Sequence, residues 1–218
     1  MQYLTKANLN LYNSPELNSL ATQAAIGRFI QLLTATPPYQ VCLCEDDYPG
    51  WLAAEDLQYL AAAETSYQAP VWSAAEIQQR MGEVIEFTKA AMLTPNQYLW
   101  GGTVAPNYDC SGLMQAAFAS VGVRIPRDAY QQEKFVQHIA IASLIPGDLV
   151  FFGTPLKATH VGLYLGNNKY VHSSGKDQGR NGIGIDELSA EGDRVSRTYY
   201  AQLRGGGRVV ASYQPGQK

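Results

Sequence analysis

The feature that most constrains this chain is one change of pattern near residue 68. Before it, short apolar stretches at residues 7–12, 29–33, 40–44 and 51–53 alternate with turn residues: Asn13-Ser14-Pro15, Thr36-Pro37-Pro38 and the run 46–50. Short strands with turns at this spacing predict a small β-barrel over residues 1–68. Residues 66–72 read as a connection. Ser73 then stands three residues before Glu76, the spacing of a capping box. Ile77, Met81, Val84, Ile85, Thr88 and Met92 follow at three- and four-residue steps, so one amphipathic helix is predicted over 73–93, stopped by Thr94-Pro95-Asn96. The 218 residues thus divide into a small β unit, 1–68, and a larger unit, 69–218.

Within the larger unit, residues 128–137 predict a short helix. Residues 148–152, apolar after Asp148, predict a buried strand. Residues 160–165 and 169–173 flank Gly166-Asn167-Asn168, a hairpin signal. A three-residue loop there would pair Leu165 with Lys169 and Gly162 with His172, placing His160 diagonal to His172 on one face. Residues 175–184 read as glycine-rich loop, and 198–203 and 208–211 as closing strands.

Composition excludes several classes of function. With 46% hydrophobic and 16% charged residues the chain can bury a core. A net charge of −3 with no Lys/Arg run gives no footprint for nucleic acid. No apolar run approaches the ~20 residues that span a bilayer, and residues 1–6 lack the form of a signal peptide. Three cysteines leave at least one outside any intramolecular bridge, and the compartment expected is the cytoplasm. Cys42 and Cys44, two apart on a predicted strand, are expected on one face as core residues.

The third cysteine is placed differently. Loop residues Gly101-Gly102 and Pro106-Asn107 precede it, and the helix formers 113–119 follow. Asp109 is the expected N-cap, so Cys110 falls in the first turn. There the helix dipole and free N–H groups are expected to lower the thiol pKa. A cysteine nucleophile needs a base, and the base needs a third group to orient it. His160 and His172, on the two arms of the hairpin, are the candidates, and His138 is given no role. The same three residues would also suit a Cys/His/His zinc site, and on residue types alone triad, zinc site and coincidence stay open.

Five blocks occur together in order: Tyr98-Leu99-Trp100-Gly101-Gly102, Asp109-Cys110-Ser111-Gly112, Pro126-Arg127, residues 146–152, and residues 160–166 with His172. In this the chain resembles the NlpC-type cell-wall cysteine peptidases, over about residues 84–211. The N-terminal region resembles a bacterial SH3-like domain. The resemblance implies an α+β fold: a papain-like catalytic domain, with helices on an antiparallel sheet, behind an SH3-like barrel. It implies Cys110 as nucleophile, His160 as base, His172 as the orienting residue, and Tyr98 beside the thiol as an aid to the oxyanion, with no metal or organic cofactor. Where the family often has Thr or Ser after the Arg of its Pro-Arg block, this chain has Asp128. Asp109, Ser111 and Trp100, with Tyr48 and Glu16 of the small domain, are expected to line the substrate site, and Asp109 to meet a free amine. The activity implied is hydrolysis of the γ-D-glutamyl–diamino acid bond of wall peptides with a free N-terminal L-Ala, in peptide recycling. The expected partner is that peptide, with no nucleic acid or membrane, and the chain is expected to be a monomer. The alternatives are a secreted wall hydrolase, an acyltransferase using the same thioester, and a non-catalytic wall-binding protein.

Overall fold

The computed structural model describes residues 1–216. Seven strands form the N-terminal unit: β1 (Gln2–Thr5), β2 (Leu9–Tyr12), β3 (Leu20–Ala24), β4 (Phe29–Leu32), β5 (Tyr39–Leu43), β6 (Tyr48–Leu52) and β7 (Leu60–Ala62). They pair antiparallel in the order β3-β2-β6-β5-β4-β1-β7. The period of two is plain: Leu9 and Leu11 are buried while Asn10 is exposed. Leu9, Leu11, Ile30, Val41, Leu43 and Leu52 fill the interior. Tyr48, expected in a turn, opens β6 and pairs with Leu43. Cys42 alternates with Val41 and Leu43 and so faces away from that interior; it is half-buried, and Cys44, just past β5, is buried. The expectation that both cysteines are core residues therefore fails for Cys42.

Helices lead the second unit. The capping box at Ser73 and Glu76 forms as expected. The single helix becomes two, α1 (Ala74–Gln79) and α2 (Met81–Leu93), because Arg80 leaves helical ψ at −7° between them. A two-stranded ribbon, β8 (Thr103–Val104) with β9 (Asn107–Tyr108), leads into α3 (Cys110–Ser120), followed by α4 (Ala129–Phe135). The main sheet is antiparallel, in the order β10 (Gln137–Ile139), β15 (Leu203–Arg208), β11 (Leu149–Gly153), β12 (Ala158–Gly166), β13 (Lys169–Ser174), β14 (Gly182–Glu187). A last helix, α5 (Arg194–Tyr200), precedes β15.

The sheet is covered on both faces. Leu149, Phe151, Val161, Leu163 and Val171 pack with Val84, Leu113, Met114 and Phe118 of α2 and α3. Val150, Phe152 and Tyr170 pack with Val195 and Tyr199 of α5. This is why residues 149–152 read as an unbroken apolar run: a strand buried on both faces shows no alternation.

Three expectations are corrected. Residues 198–200 are the end of α5, whose start is capped by the Asp193 carboxylate on the Ser196 N–H, and 201–202 turn into the next strand. The closing strand lies at Leu203–Arg208, earlier than 208–211. The last three residues of the supposed loop 175–184 are already strand: β14 begins at Gly182 and pairs with β13 along its whole length.

Candidate active site

Asp109 caps α3 as expected, its Oδ1 accepting from the Gly112 N–H at 2.6 Å, so Cys110 is the first residue of the helix. The hairpin reaches the expected parity by another route. Leu163 pairs with Val171 and Tyr164 with Tyr170, a register that continues to Gly162 opposite His172, but Leu165 bulges and Gly166 meets Lys169. The loop is thus two residues, Asn167 and Asn168, both left-handed at φ 50° and 57°. The extra residue of the bulge restores the parity that a plain two-residue loop would lose. His160 and His172 share a face, and His160 Nε2 lies 2.6 Å from His172 Nδ1.

The chain of contacts goes on beyond the expected residues. His172 Nε2 lies 2.6 Å from Asp186 Oδ2 on β14. Arg180 donates from Nη2 to Asp186 Oδ1 at 2.5 Å and from Nε to Oδ2 at 3.0 Å. Sequence reasoning missed Asp186 and Arg180. The signal present was the alternation Ile183-Gly184-Ile185-Asp186, a strand pattern inside a glycine-rich segment. Tyr199 stacks on His160, with centroids 4.2 Å apart and planes at 24°, and meets His172 edge-on at 5.0 Å. The rings are thus fixed from the α5 side, and each Nε2 is committed to a partner within the row. A zinc site would need the two imidazoles to converge on a shared point with Cys110; among the described residues no group of three His, Cys, Asp or Glu is so arranged.

Burial dominates the electrostatics. It lowers the pKa of His160 well below the ordinary value, assisted by the neighbouring His172. Burial lowers His172 as well, with Asp186 pulling back in part. Asp186 itself would be raised by burial, but hydrogen bonds from His172 and Arg180 outweigh that and hold it low. The Cys110 thiol is pushed up to about 12 by burial and by the Asp109 carboxylate. Backbone hydrogen bonds from Val161 and Ser111 and the Arg127 charge oppose this and do not overcome it. The expected lowering by the helix terminus is therefore corrected: the resting pair is a neutral thiol and neutral imidazoles.

Asp109 is also not the free carboxylate expected. Besides capping α3 it accepts from the Gly101 N–H at 2.8 Å, and it is clasped by Arg127, Nη2 to Oδ2 at 2.6 Å and Nη1 to Oδ1 at 3.1 Å. Arg127, 1% exposed, further donates to Ser111 Oγ at 3.0 Å and to Thr22 Oγ1 of β3 at 2.8 Å. Both the carboxylate of Asp109 and the hydroxyl of Ser111 are thus engaged within the protein, although both residues border the cavity.

That cavity, about 300 Å³, holds Cys110 and is walled by both units. Tyr98 and Trp100 of the loop before α3 line it, Trp100 largely exposed. Burial, with the nearby Cys110 and Asp109, raises the Tyr98 phenol. From the barrel come Asn13, Ala21 and Tyr48. Tyr48 Oη donates to Asp128 Oδ1 at 3.3 Å. Burial raises the Asp128 carboxyl against the opposing pull of Arg127 and Tyr48. Glu16 is a correction: it is exposed, bonded locally to Ser14, and does not border the cavity.

The barrel is fastened to the second unit elsewhere too, at Gln23 and at Asp46 among other points. Thr103 and Val104 N–H groups donate to Gln23 Oε1 at 3.0 and 3.2 Å. Gln115 of α3 donates to Asp46 Oδ2 at 2.7 Å, and within the barrel Arg28 holds Asp46 and Glu45 in place.

The sequence profile of the NlpC/P60 family matches residues 95–202, which hold the cysteine, both histidines and Asp186. Residues 95–202 are an NlpC/P60 domain. The profile described as the bacterial dipeptidyl-peptidase Sh3 domain matches residues 11–57. The chain is 38% identical over 109 residues to a probable endopeptidase NlpC homolog of Haemophilus influenzae, covering 50% of this chain and 55% of that protein. It is 38% identical over 79 residues to murein DD-endopeptidase MepS/murein LD-carboxypeptidase of Escherichia coli, 36% of this chain and 42% of that one. The chain thus spans about half the length, or less, of these curated relatives. An NlpC/P60 family protein from Bacillus cereus shares the fold, with a TM-score of 0.52 at 24% identity over 96% of this chain and 63% of its own. The NlpC/P60 fold with an SH3-like N-terminal unit is the α+β architecture expected from the sequence.

Proposed function

We propose that this NlpC/P60 protein is a cysteine endopeptidase that hydrolyses the γ-D-glutamyl–diamino acid bond of cell-wall peptides with a free N-terminal L-Ala, in peptide recycling in the cytoplasm. The observation that carries the reading is that Asp128, with Tyr48, faces the same cavity as Cys110. A carboxylate whose ionised form is penalised by burial gains most from an incoming cation. The terminal ammonium of a short peptide supplies one, and a peptide still joined to glycan through its amine does not. Of the expected acids, Asp109 is spent on the helix and Arg127, so the amine-binding role passes to Asp128.

In the reaction, His160 takes the thiol proton as Cys110 Sγ attacks the γ-carbonyl carbon. The C=O electron pair moves to oxygen, beside the Cys110 backbone N–H and the Tyr98 hydroxyl. Collapse breaks the C–N bond. The proton held by His160 passes to the leaving amine, and a thioester remains. Water, deprotonated by His160, attacks that thioester, and the thiolate leaves and regains the proton. His172 orients His160 throughout.

The test is mass spectrometry of products from L-Ala-γ-D-Glu-diamino acid peptides, their N-acetylated forms, and intact peptidoglycan. Cleavage of the free peptides, with the blocked forms at least about tenfold slower, is expected, since one charge-assisted hydrogen bond contributes about 1.5–3 kcal/mol. Equal rates, or efficient lysis of whole wall, would instead favour a wall hydrolase, the activity that the names of the murein endopeptidase relatives describe.

A further inference from the structure

We infer that Asp186, anchored by Arg180, is a positioning residue that sets the direction of hydrogen bonding through both histidines and leaves the Nδ1 of His160 bare to receive the thiol proton. The inference rests on the peptidase reading for its kinetic consequence only; the proton positions are a property of the resting protein.

The geometry leaves little choice. A carboxylate accepts and cannot donate. Arg180 gives it two hydrogen bonds, so its ionised form is the one the site holds. At 2.6 Å from Asp186 Oδ2, His172 Nε2 must therefore carry hydrogen. His172 is neutral, since burial lowers its pKa, and a neutral imidazole carries one N–H, so its Nδ1 is an acceptor. Across the next 2.6 Å, His160 Nε2 must then be the donor, and its Nδ1 has no hydrogen. Reversing the row would set two acceptors, His172 Nε2 and the carboxylate, against each other in a dry site where His172 is fully buried. The other groups facing the row do not compete. Tyr199 Oη is engaged by Ser174, and Tyr199 and Tyr170 present ring faces or edges to the imidazoles. Asp193 adds a second negative charge behind Asp186, which favours the same donor.

Asp186→Asn keeps size and shape but replaces one oxygen by a donor. Arg180 will hold the amide oxygen, so the NH₂ points at His172 Nε2 and turns the row round, ending with hydrogen on His160 Nδ1, where a base is needed. The same exchange in a serine-protease triad lowers kcat about 10⁴-fold through the wrong tautomer. One imidazole further out, a loss of about 10²-fold in kcat with KM changed less than about twofold is expected.

Nitrogen-15 NMR of the intact wild-type chain at pH 7 reads the proton positions directly. The expected result is Nε2 protonated and Nδ1 bare on both histidines. Nδ1 protonated on either ring would overturn the inference. In Asp186→Asn the two rings should exchange tautomer, and iodoacetamide should alkylate Cys110 about tenfold more slowly, a reading independent of any substrate. Unchanged tautomers and an unchanged alkylation rate in a variant that still melts cooperatively would also overturn it. Should that variant not fold, the wild-type spectrum decides alone. Should no wall peptide be cleaved by the wild type, the peptidase reading fails while the spectrum still decides the tautomer.

Discussion

The two ends of the proposed site are built on different principles. At the reactive end, His160, His172 and Asp186 stand on three consecutive antiparallel strands, β12 to β14, and their alignment follows from hairpin parity. At the other end, Tyr48 meets Asp128 from 80 residues away, and Thr22 meets Arg127 from 105. The row from His160 to Asp186 is a local device within one sheet. The other end, selective on the proposed reading, exists only where the barrel is docked. Chemistry and choice of substrate should therefore separate under mutation, and the expected outcomes below are ordered from largest effect to smallest.

Cys110→Ala should lower turnover by about 10⁴-fold or more while the thermal unfolding midpoint stays within a few degrees. If His160 takes the thiol proton as the sulfur attacks, peptide mapping after iodoacetamide should find Cys110 modified before Cys42 or Cys44 in spite of its burial. Turnover near the wild-type rate in the variant would detach the cavity from the reaction.

Asp128→Asn should cost about 10- to 100-fold in kcat/KM on free-amine peptides and leave N-acetylated peptides nearly unchanged. A parallel loss on both substrates would mean that Asp128 serves the reactive end and that the two ends are not independent.

The third outcome concerns acid. Both buried histidines have lowered pKa values, so the unfolded chain binds more protons than the folded one once pH falls below the ordinary histidine value near 6.5. Stability is therefore full above that pH and declines below it, down to the lowered native values, by about 1.4 kcal/mol per pH unit for each proton taken up. Urea melts from pH 7 to 5 should show this slope, and His160→Gln should reduce it. The same slope in His160→Gln as in wild type would place the titration elsewhere.

Tyr48→Phe should have the smallest effect, a few-fold in kcat/KM confined to free-amine peptides, because one neutral hydroxyl is worth about 0.5–1.5 kcal/mol. A steady-state comparison with Asp128→Asn tells whether the phenol only supports the carboxylate.

The same contrast explains what was legible in the sequence. Cys110, His160 and His172 could be placed because a helix cap and a hairpin are local, and each has a spacing that can be counted. Even the wrong loop length gave the right face, since a bulge at Leu165 compensated. Asp186 was hidden by Gly182 and Gly184, which read as loop although β13 supplies the pairing that makes them strand. β15 was mislaid for a similar reason. Its Gly205-Gly206-Gly207 run has no strand propensity, yet Leu144 and Val136 crowd Gly206 and Gly207 so closely that a side chain there would collide. The end of α5 was lost to Thr198-Tyr199-Tyr200, residues that favour strands unless a cap such as Asp193 intervenes. That Asp109 is spent within the protein while Asp128 meets Tyr48 was not legible, because it depends on where Arg127 and the barrel come to rest.

On the proposed reading, the wall formed by Tyr48 and Asp128 would also act as a ruler. A cavity that stops at the amino terminus and holds its nucleophile at a fixed distance cuts by counting, not by reading the residues that follow. On the reading proposed here, every substrate would release the same dipeptide whatever its tail. Product length would then be set by where one protein domain rests against another, and shifting that contact by one residue's length would change the count.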